Sequence, residues 1–165
     1  MTLKLGSPAF NSEQPIPSRH TCDGENLSPP LSWSEVPEGT QTLALLVEDP
    51  DAPDPGAPTR IFAHWLVYNI PPDSSGLAEN ADVSGLPRGA RAGKNDFGQQ
   101  HWGGPCPPIG RHRYFFKLYA LDSPLPTAKP LSRTGLLDAV EGHVLGYAEL
   151  MGTYQKQHAR ALARR

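Results

Sequence analysis

Three carboxylates, Glu48, Asp49 and Asp51, fall within four residues in the stretch EDPDAP, where Pro50 and Pro53 stiffen the backbone. Carboxylates crowded in this way repel one another and need a cation, a proton or a metal ion for relief. Taken alone, the two aspartates read as turn residues that accept backbone N–H bonds. Two histidines give the corner more weight. His64 lies inside the apolar run FAHWLVY, where a histidine is ordinarily a buried group satisfied by one hydrogen bond. His112 stands at the mouth of a strand-like run, just after the loop GGPCPPIG. His20 and His101 read as surface-loop residues. If the segments carrying Asp49, Asp51, His64 and His112 are neighbours in one sheet, two imidazoles and two carboxylates meet at one end of it. The carboxylates would then raise the histidine pKa values and keep imidazolium available near neutral pH.

The loop from Gly103 to Gly110 would form the rim of that site. Proline has no N–H, so backbone donors there must come from Gly104, Cys106 and Gly110, whose small side chains allow close approach. Backbone amides beside imidazolium can hold a small oxyanion or phosphate. The loop does not match the phosphate-loop pattern GxxxxGK[ST], and no HExxH or GxSxG occurs. A metal-dependent hydrolase built on His64, His112 and an aspartate is the alternative, since the ligand types suit zinc. No cofactor is called for, and no residue is assigned a catalytic role.

The elements that would position these groups are short strands. The chain has 165 residues, enough for one domain with a genuine core. Its 19 Pro and 16 Gly lie between apolar runs, which points to strands joined by fixed turns. Leu3, Leu5 and Phe10 suggest an edge strand, and Leu31-Ser32-Trp33 a short second one. From Leu43 to Glu48 the run is apolar on both faces, which predicts a strand buried between two layers. Ile61 to Ile70 reads as another central strand, stopped by Pro71 and Pro72, and Tyr114 to Leu121 as a third. Residues 73–100 read as long surface connections. Leu136, Leu137, Val140, Val144, Ala148 and Met151 recur at steps of three and four, which predicts a helix capped by Thr134. The tail from Gln155 to Arg165 reads as a basic helix end or a frayed one.

A formal net charge of −2 argues neither for nucleic acid nor for an acidic membrane surface as a partner, and no nucleic-acid partner is expected. No apolar run reaches the ~18–20 residues of a transmembrane segment, and MTLKLGSPAF has no secretory pattern, so the expected location is cytoplasmic. Cys22 and Cys106 both sit in Pro/Gly-rich segments that could approach each other. A cytosolic setting argues against a bond between them.

At these residues the chain resembles the phosphatidylethanolamine-binding protein family, in its bacterial, Raf kinase inhibitor-like branch. The resemblance is carried by SPPLSW (Ser28 to Trp33), DPDAP (Asp49 to Pro53), AHWLVYNIP (Ala63 to Pro71) and GGPCPPIG (Gly103 to Gly110). RHRYFFKLYALD (Arg111 to Asp122) and EGHVLGYAELMGTY (Glu141 to Tyr154) continue it in the family's order. It implies a mainly β fold, an antiparallel Greek-key β-sandwich with a C-terminal α-helix, enclosing a small anion pocket. It also implies pocket residues at Asp49, Asp51, His64, Pro105, Pro107, His112 and Tyr114, to which the backbone donors of Gly104 and Cys106 add. The expected function is non-enzymatic binding of a small phosphorylated or anionic ligand resembling a phospholipid head group. Protein kinase or protease partners and a homodimer are further implications of the same resemblance.

Overall fold

A computed structural model describes residues 2–157. These form two antiparallel sheets. The smaller one orders β1 (Lys4–Gly6), β2 (Leu31–Ser34) and β5 (Gly76–Leu77), with β1 at an edge. The larger one runs β6 (Arg91–Ala92), β4 (Arg60–Ile70), β3 (Thr42–Ala52), β7 (Arg111–Leu121), β8 (Val144–Gln155). The stretch 73–100, read as connections, therefore contains two short strands and a single-turn helix, α1 (Ala81–Ser84).

The centre of the larger sheet follows the apolar pattern. Leu43, Leu45 and Val47 of β3 pack between the two sheets with Trp33, Trp65, Trp102 and Phe116. Ala44 and Leu46 point the other way, into a second cluster with Leu66, Leu121, Leu136 and Val140. The last two belong to α2 (Arg133–Val140), which covers the outer face. Burial of each such aliphatic side chain contributes roughly 1.5–3 kcal/mol, so β3 is the best anchored segment available to carry a polar site. It also runs further than expected, through the acidic corner to Ala52, with register shifts at Val47/Glu48 and Asp49/Ala52.

The C-terminal segment departs from the predicted period. A helix is present, but it ends at Val140, and its cap is Ser132, whose Oγ accepts the Gly135 N–H at 3.2 Å, rather than Thr134. Gly142 then adopts a left-handed φ of +81° and the chain turns into β8. Ala148, Leu150, Gly152 and Tyr154 are buried in alternation along that strand. Residues four apart share a side in a helix and in a strand alike, so Val144 and Ala148 fit either period. Of the tail, Gln155 closes β8, and positions 158–165 lie outside the described residues.

The end of β8 is covered by the N-terminal segment. Ile16 N–H donates to Thr153 O at 2.8 Å, Thr153 N–H to Gln14 O at 3.1 Å and Glu13 N–H to Met151 O at 2.6 Å. Gly152 permits this approach, since a Cβ there would meet the side chains of Ile16 and Phe10 at 2.5 and 2.8 Å. Among the described residues no helix is long and apolar enough to cross a membrane.

Candidate ligand-binding pocket

β4, β3 and β7 are adjacent, so the expected convergence of Asp49, His64 and His112 is realised. The acidic corner resolves its own repulsion by giving each carboxylate a separate cation. Glu48 turns to the helix side, where Lys117 Nζ lies at 3.1 Å and Arg133 Nε at 3.0 Å. Asp51 accepts the backbone N–H of Arg113 and is gripped by its guanidinium, Nε and Nη2 both at 2.9 Å. That fork holds the Asp51 carboxyl below the usual carboxylate range.

Asp49 points inward. Its Oδ1 accepts the Asp51 N–H at 2.7 Å and its Oδ2 meets His112 Nδ1 at 2.6 Å. The other ring nitrogen, His112 Nε2, faces two carbonyls, Ile109 O at 2.8 Å and Pro53 O at 3.1 Å. A carbonyl cannot donate, so Nε2 is the donor to these two oxygens and Nδ1 faces the carboxylate. Both nitrogens of His112 are thus engaged by the protein.

His64 is arranged differently. Its Nδ1 donates to Gly103 O at 2.6 Å, and its peptide oxygen accepts from Gly103 N–H and from Asn95 Nδ2. The ring is enclosed by Phe62, Phe97 and Tyr114, with centroids 5.1, 5.5 and 5.2 Å away. Burial lowers its pKa, outweighing the Gly103 carbonyl and the more distant charges of Asp49 and Asp96. The expectation of a raised His64 pKa is therefore overturned, because the desolvation of the ring outweighs the support it receives from Gly103 O, Asp49 and Asp96. Neutral His64 carries its proton on Nδ1, and Nε2 has no hydrogen bond among the described residues. Among the described residues no enclosed side-chain nitrogen or oxygen lacks a partner, so this atom opens on the cavity.

The cavity has a volume of about 340 Å³. Of the residues singled out in the sequence, Asp49, His64, Cys106, Pro107, His112 and Tyr114 line it. Asp51, Gly104 and Pro105 do not: Asp51 is turned to Arg113, and Gly104 is wedged where a Cβ would meet Asn26 Oδ1 and His20 O at 1.9 and 2.5 Å. Tyr114 keeps its hydroxyl proton, since burial and the nearby Asp49 and Asp51 push its pKa up.

Residues not expected at the site complete the wall, chiefly Phe62, Phe97, Pro108 and Arg60. Phe97 comes from the polar stretch GKNDFGQQ and stacks edge-on to Phe62 at 4.7 Å. Arg60, the cation of the mouth, lies over the Phe62 ring at 4.8 Å and reaches Asp96 Oδ2 at 3.4 Å. The alternation of β4 holds the signal for two of them: Arg60, Phe62 and His64 fall on one face.

Two further expectations are corrected. Cys22 and Cys106 are joined in a disulfide, with a Cα–Cα distance of 5.4 Å. The argument from compartment gave no weight to the way Cys22 N–H and Pro105 O, 3.1 Å apart, bring the two loops together. His20 is buried, with Nδ1 at 2.9 Å from Leu27 O, whereas His101 is exposed as expected.

Comparison with known proteins agrees with this architecture. Residues 6–155 match the family described as phosphatidylethanolamine-binding protein. A UPF0098 protein of Methanothermobacter thermautotrophicus is 52% identical over 155 residues, covering 93% of this chain and 99% of the relative. A Chlamydia trachomatis protein described as a phosphatidylethanolamine-binding protein homologue superposes with a TM-score of 0.86 at 42% identity, covering 94% and 98% of the two chains. Escherichia coli YbcL, described as a new member of the mammalian family, gives 0.85 at 34% identity, covering 94% and 99%.

Proposed function

This chain belongs to the phosphatidylethanolamine-binding protein family, and on that premise we propose that its cavity binds a small phosphorylated or anionic ligand without catalysing its turnover. The observation that carries the reading is the Nε2 of the buried His64, which opens on the cavity with no hydrogen bond among the described residues. Arg60 supplies charge at the mouth and Tyr114 a hydroxyl within. The Arg60–Asp96 pair is half-exposed, and such pairs contribute less than about 1 kcal/mol, so an incoming anion can displace Asp96 at small cost. Asp49 and His112 position the wall, and Pro107 and Cys106 shape it. Gly104, Pro105 and Asp51 support the site from behind.

The binding step includes a proton. An anion placed against Nε2 stabilises the imidazolium, so His64 takes up a proton as the ligand enters. Affinity then rises as pH falls from the bound-state pKa of His64 towards its lowered free-state value. Titration calorimetry with inorganic phosphate, in buffers of different ionisation enthalpy, should show net proton uptake that disappears in His64→Ala. Equal phosphate affinity in wild type and His64→Ala would reject the site.

Hydrolytic chemistry finds less support in these residues. His112 has no open nitrogen for a metal, and among the described residues no group of three or more His, Cys, Asp or Glu side chains could hold one. Cys106 is bonded and is not a nucleophile. A regulatory protein partner is a second reading, favoured by Phe97 and Ile109, which stay about half exposed beside the mouth. Retention of a kinase or protease by the wild-type chain, and its loss with Phe97→Asp, would support it.

A further inference from the structure

The pocket wall is made from two kinds of attachment. Trp102 and Gly103 are fastened to the sandwich: Trp102 N–H donates to Asp82 Oδ2 at 2.8 Å, Gly103 N–H to His64 O at 3.1 Å, and Gly103 O accepts from His64 Nδ1. Between Pro105 and Pro108 the bonds among the described residues run to Cys22 alone, through the disulfide and the Cys22 N–H···O Pro105 contact. The far side of that latch is independently fixed. Asp23, next to Cys22, accepts the Tyr154 hydroxyl and the Gln157 N–H, while Thr21 Oγ1 donates to Ser18 O at 2.8 Å. Both bonded cysteines are solvent-exposed, and Cys106 also lines the cavity.

We propose that Cys22–Cys106 is a thiol–disulfide exchange site whose state sets the shape of the ligand cavity. An exposed disulfide admits the approach of a thiolate, which a buried structural one excludes. The reductant is a dithiol. One of its thiolates attacks one sulfur, and the S–S bonding pair leaves with the other, which takes a proton. The second thiolate of the reductant then attacks the reductant's own sulfur in the mixed disulfide, closing the reductant's S–S bond and expelling the remaining protein sulfur, which takes a proton. Two electrons pass from the dithiol, leaving two protein thiols and one oxidised reductant. Residues 105–108 lose their covalent tie and the cavity loses its preformed wall, while the His64–Gly103 bond and the sheet stay in place.

The affinity consequence rests on the binding reading above, and two measurements on the loop do not. In native buffer, dithiothreitol should reduce the folded protein, detected as two added alkyl groups after iodoacetamide. The heteronuclear NOE of the Gly104, Cys106 and Gly110 amides should then fall, while residues of β3, β4 and β7 keep their values. Phosphate affinity should weaken by about fivefold or more, the scale expected when a preorganised wall is released. A disulfide that resists reduction until the protein unfolds, or reduced protein with unchanged loop NOE values, overturns the proposal. If phosphate binds neither form, the binding reading falls, and the two loop measurements still decide this one. Cys22→Ser with Cys106→Ser should reproduce the reduced state; if that variant does not fold, the dithiothreitol-treated wild type is the test.

Discussion

Two groups of polar side chains share the carboxyl end of β3, and they differ in how completely their hydrogen-bonding atoms are taken up. In the acidic corner Glu48 holds Lys117 and Arg133, Asp51 holds Arg113, and Asp49 spends one oxygen on Asp51 N–H and the other on His112. In the cavity next to it, His64 is anchored by Nδ1 and leaves Nε2 open, and Arg60 rests in a long, exposed pair with Asp96. A buried polar group that is fully satisfied stabilises one arrangement of the chain, whereas one left half-satisfied is available to a ligand. By that criterion His112 is fully engaged by the protein, while His64 keeps the atom that the proposed ligand would use, although both are buried histidines facing the same cavity.

The contrast predicts opposite phenotypes. Asp49→Ala leaves the His112 imidazole buried without its carboxylate, and should cost about 3–5 kcal/mol in urea unfolding. A loss below about 1 kcal/mol would mean that the corner is not structural. Removing the Cys22–Cys106 bond by double serine substitution should lower the unfolding free energy by about 2–4 kcal/mol, because the bond closes a long loop. His64→Asn is designed to separate the two roles, since its amide can keep the bond to Gly103 O while the Nε2 site is lost. Phosphate affinity should drop by about tenfold or more, the worth of one charge-assisted hydrogen bond, with stability at pH 8 changed far less than in Asp49→Ala.

A pH series sharpens the same distinction by a smaller amount. Burial lowers the pKa of His64 and of His20 in the folded protein. The unfolded chain therefore binds more protons below the ordinary histidine value of about 6.5, and stability falls as pH drops from there towards the folded values. His64→Asn should flatten part of that slope in denaturant titrations between pH 7 and pH 5; an unchanged slope would place the effect elsewhere. The smallest expected change is Tyr114→Phe, which should weaken phosphate by about 1 kcal/mol in calorimetry and leave thermal unfolding nearly unaltered.

Much of this frame was legible in the residues. β3, β4 and β7 announce themselves by runs such as TLALLV and RYFFKLYAL, and their adjacency brings Asp49, His64 and His112 together. What a single sequence could not decide was allocation. It places two carboxylates near two imidazoles without showing that Asp49 pairs with His112 and Asp51 with Arg113, or that the burial of His64 outweighs the nearby charge and lowers its pKa. Phe97 was invisible for another reason: it reaches the cavity from a polar loop with no period to mark it. The final strand was misread because positions four apart cannot tell a helix from a strand; the alternation of Ala148, Leu150, Gly152 and Tyr154 was the clue that could have.

The clasp between residues 13–16 and β8 carries a consequence for how the molecule comes into being. Gln14 and Ile16 find their backbone partner in Thr153, near the opposite terminus. During synthesis residues 13–16 therefore wait for these backbone partners until β8 has left the ribosome, although β1 can already pair with β2, and a loop spanning most of the described residues is closed in one late event. The nascent protein must wait with its larger sheet unfinished and an edge bare, a period in which chaperone capture or self-association competes with completion.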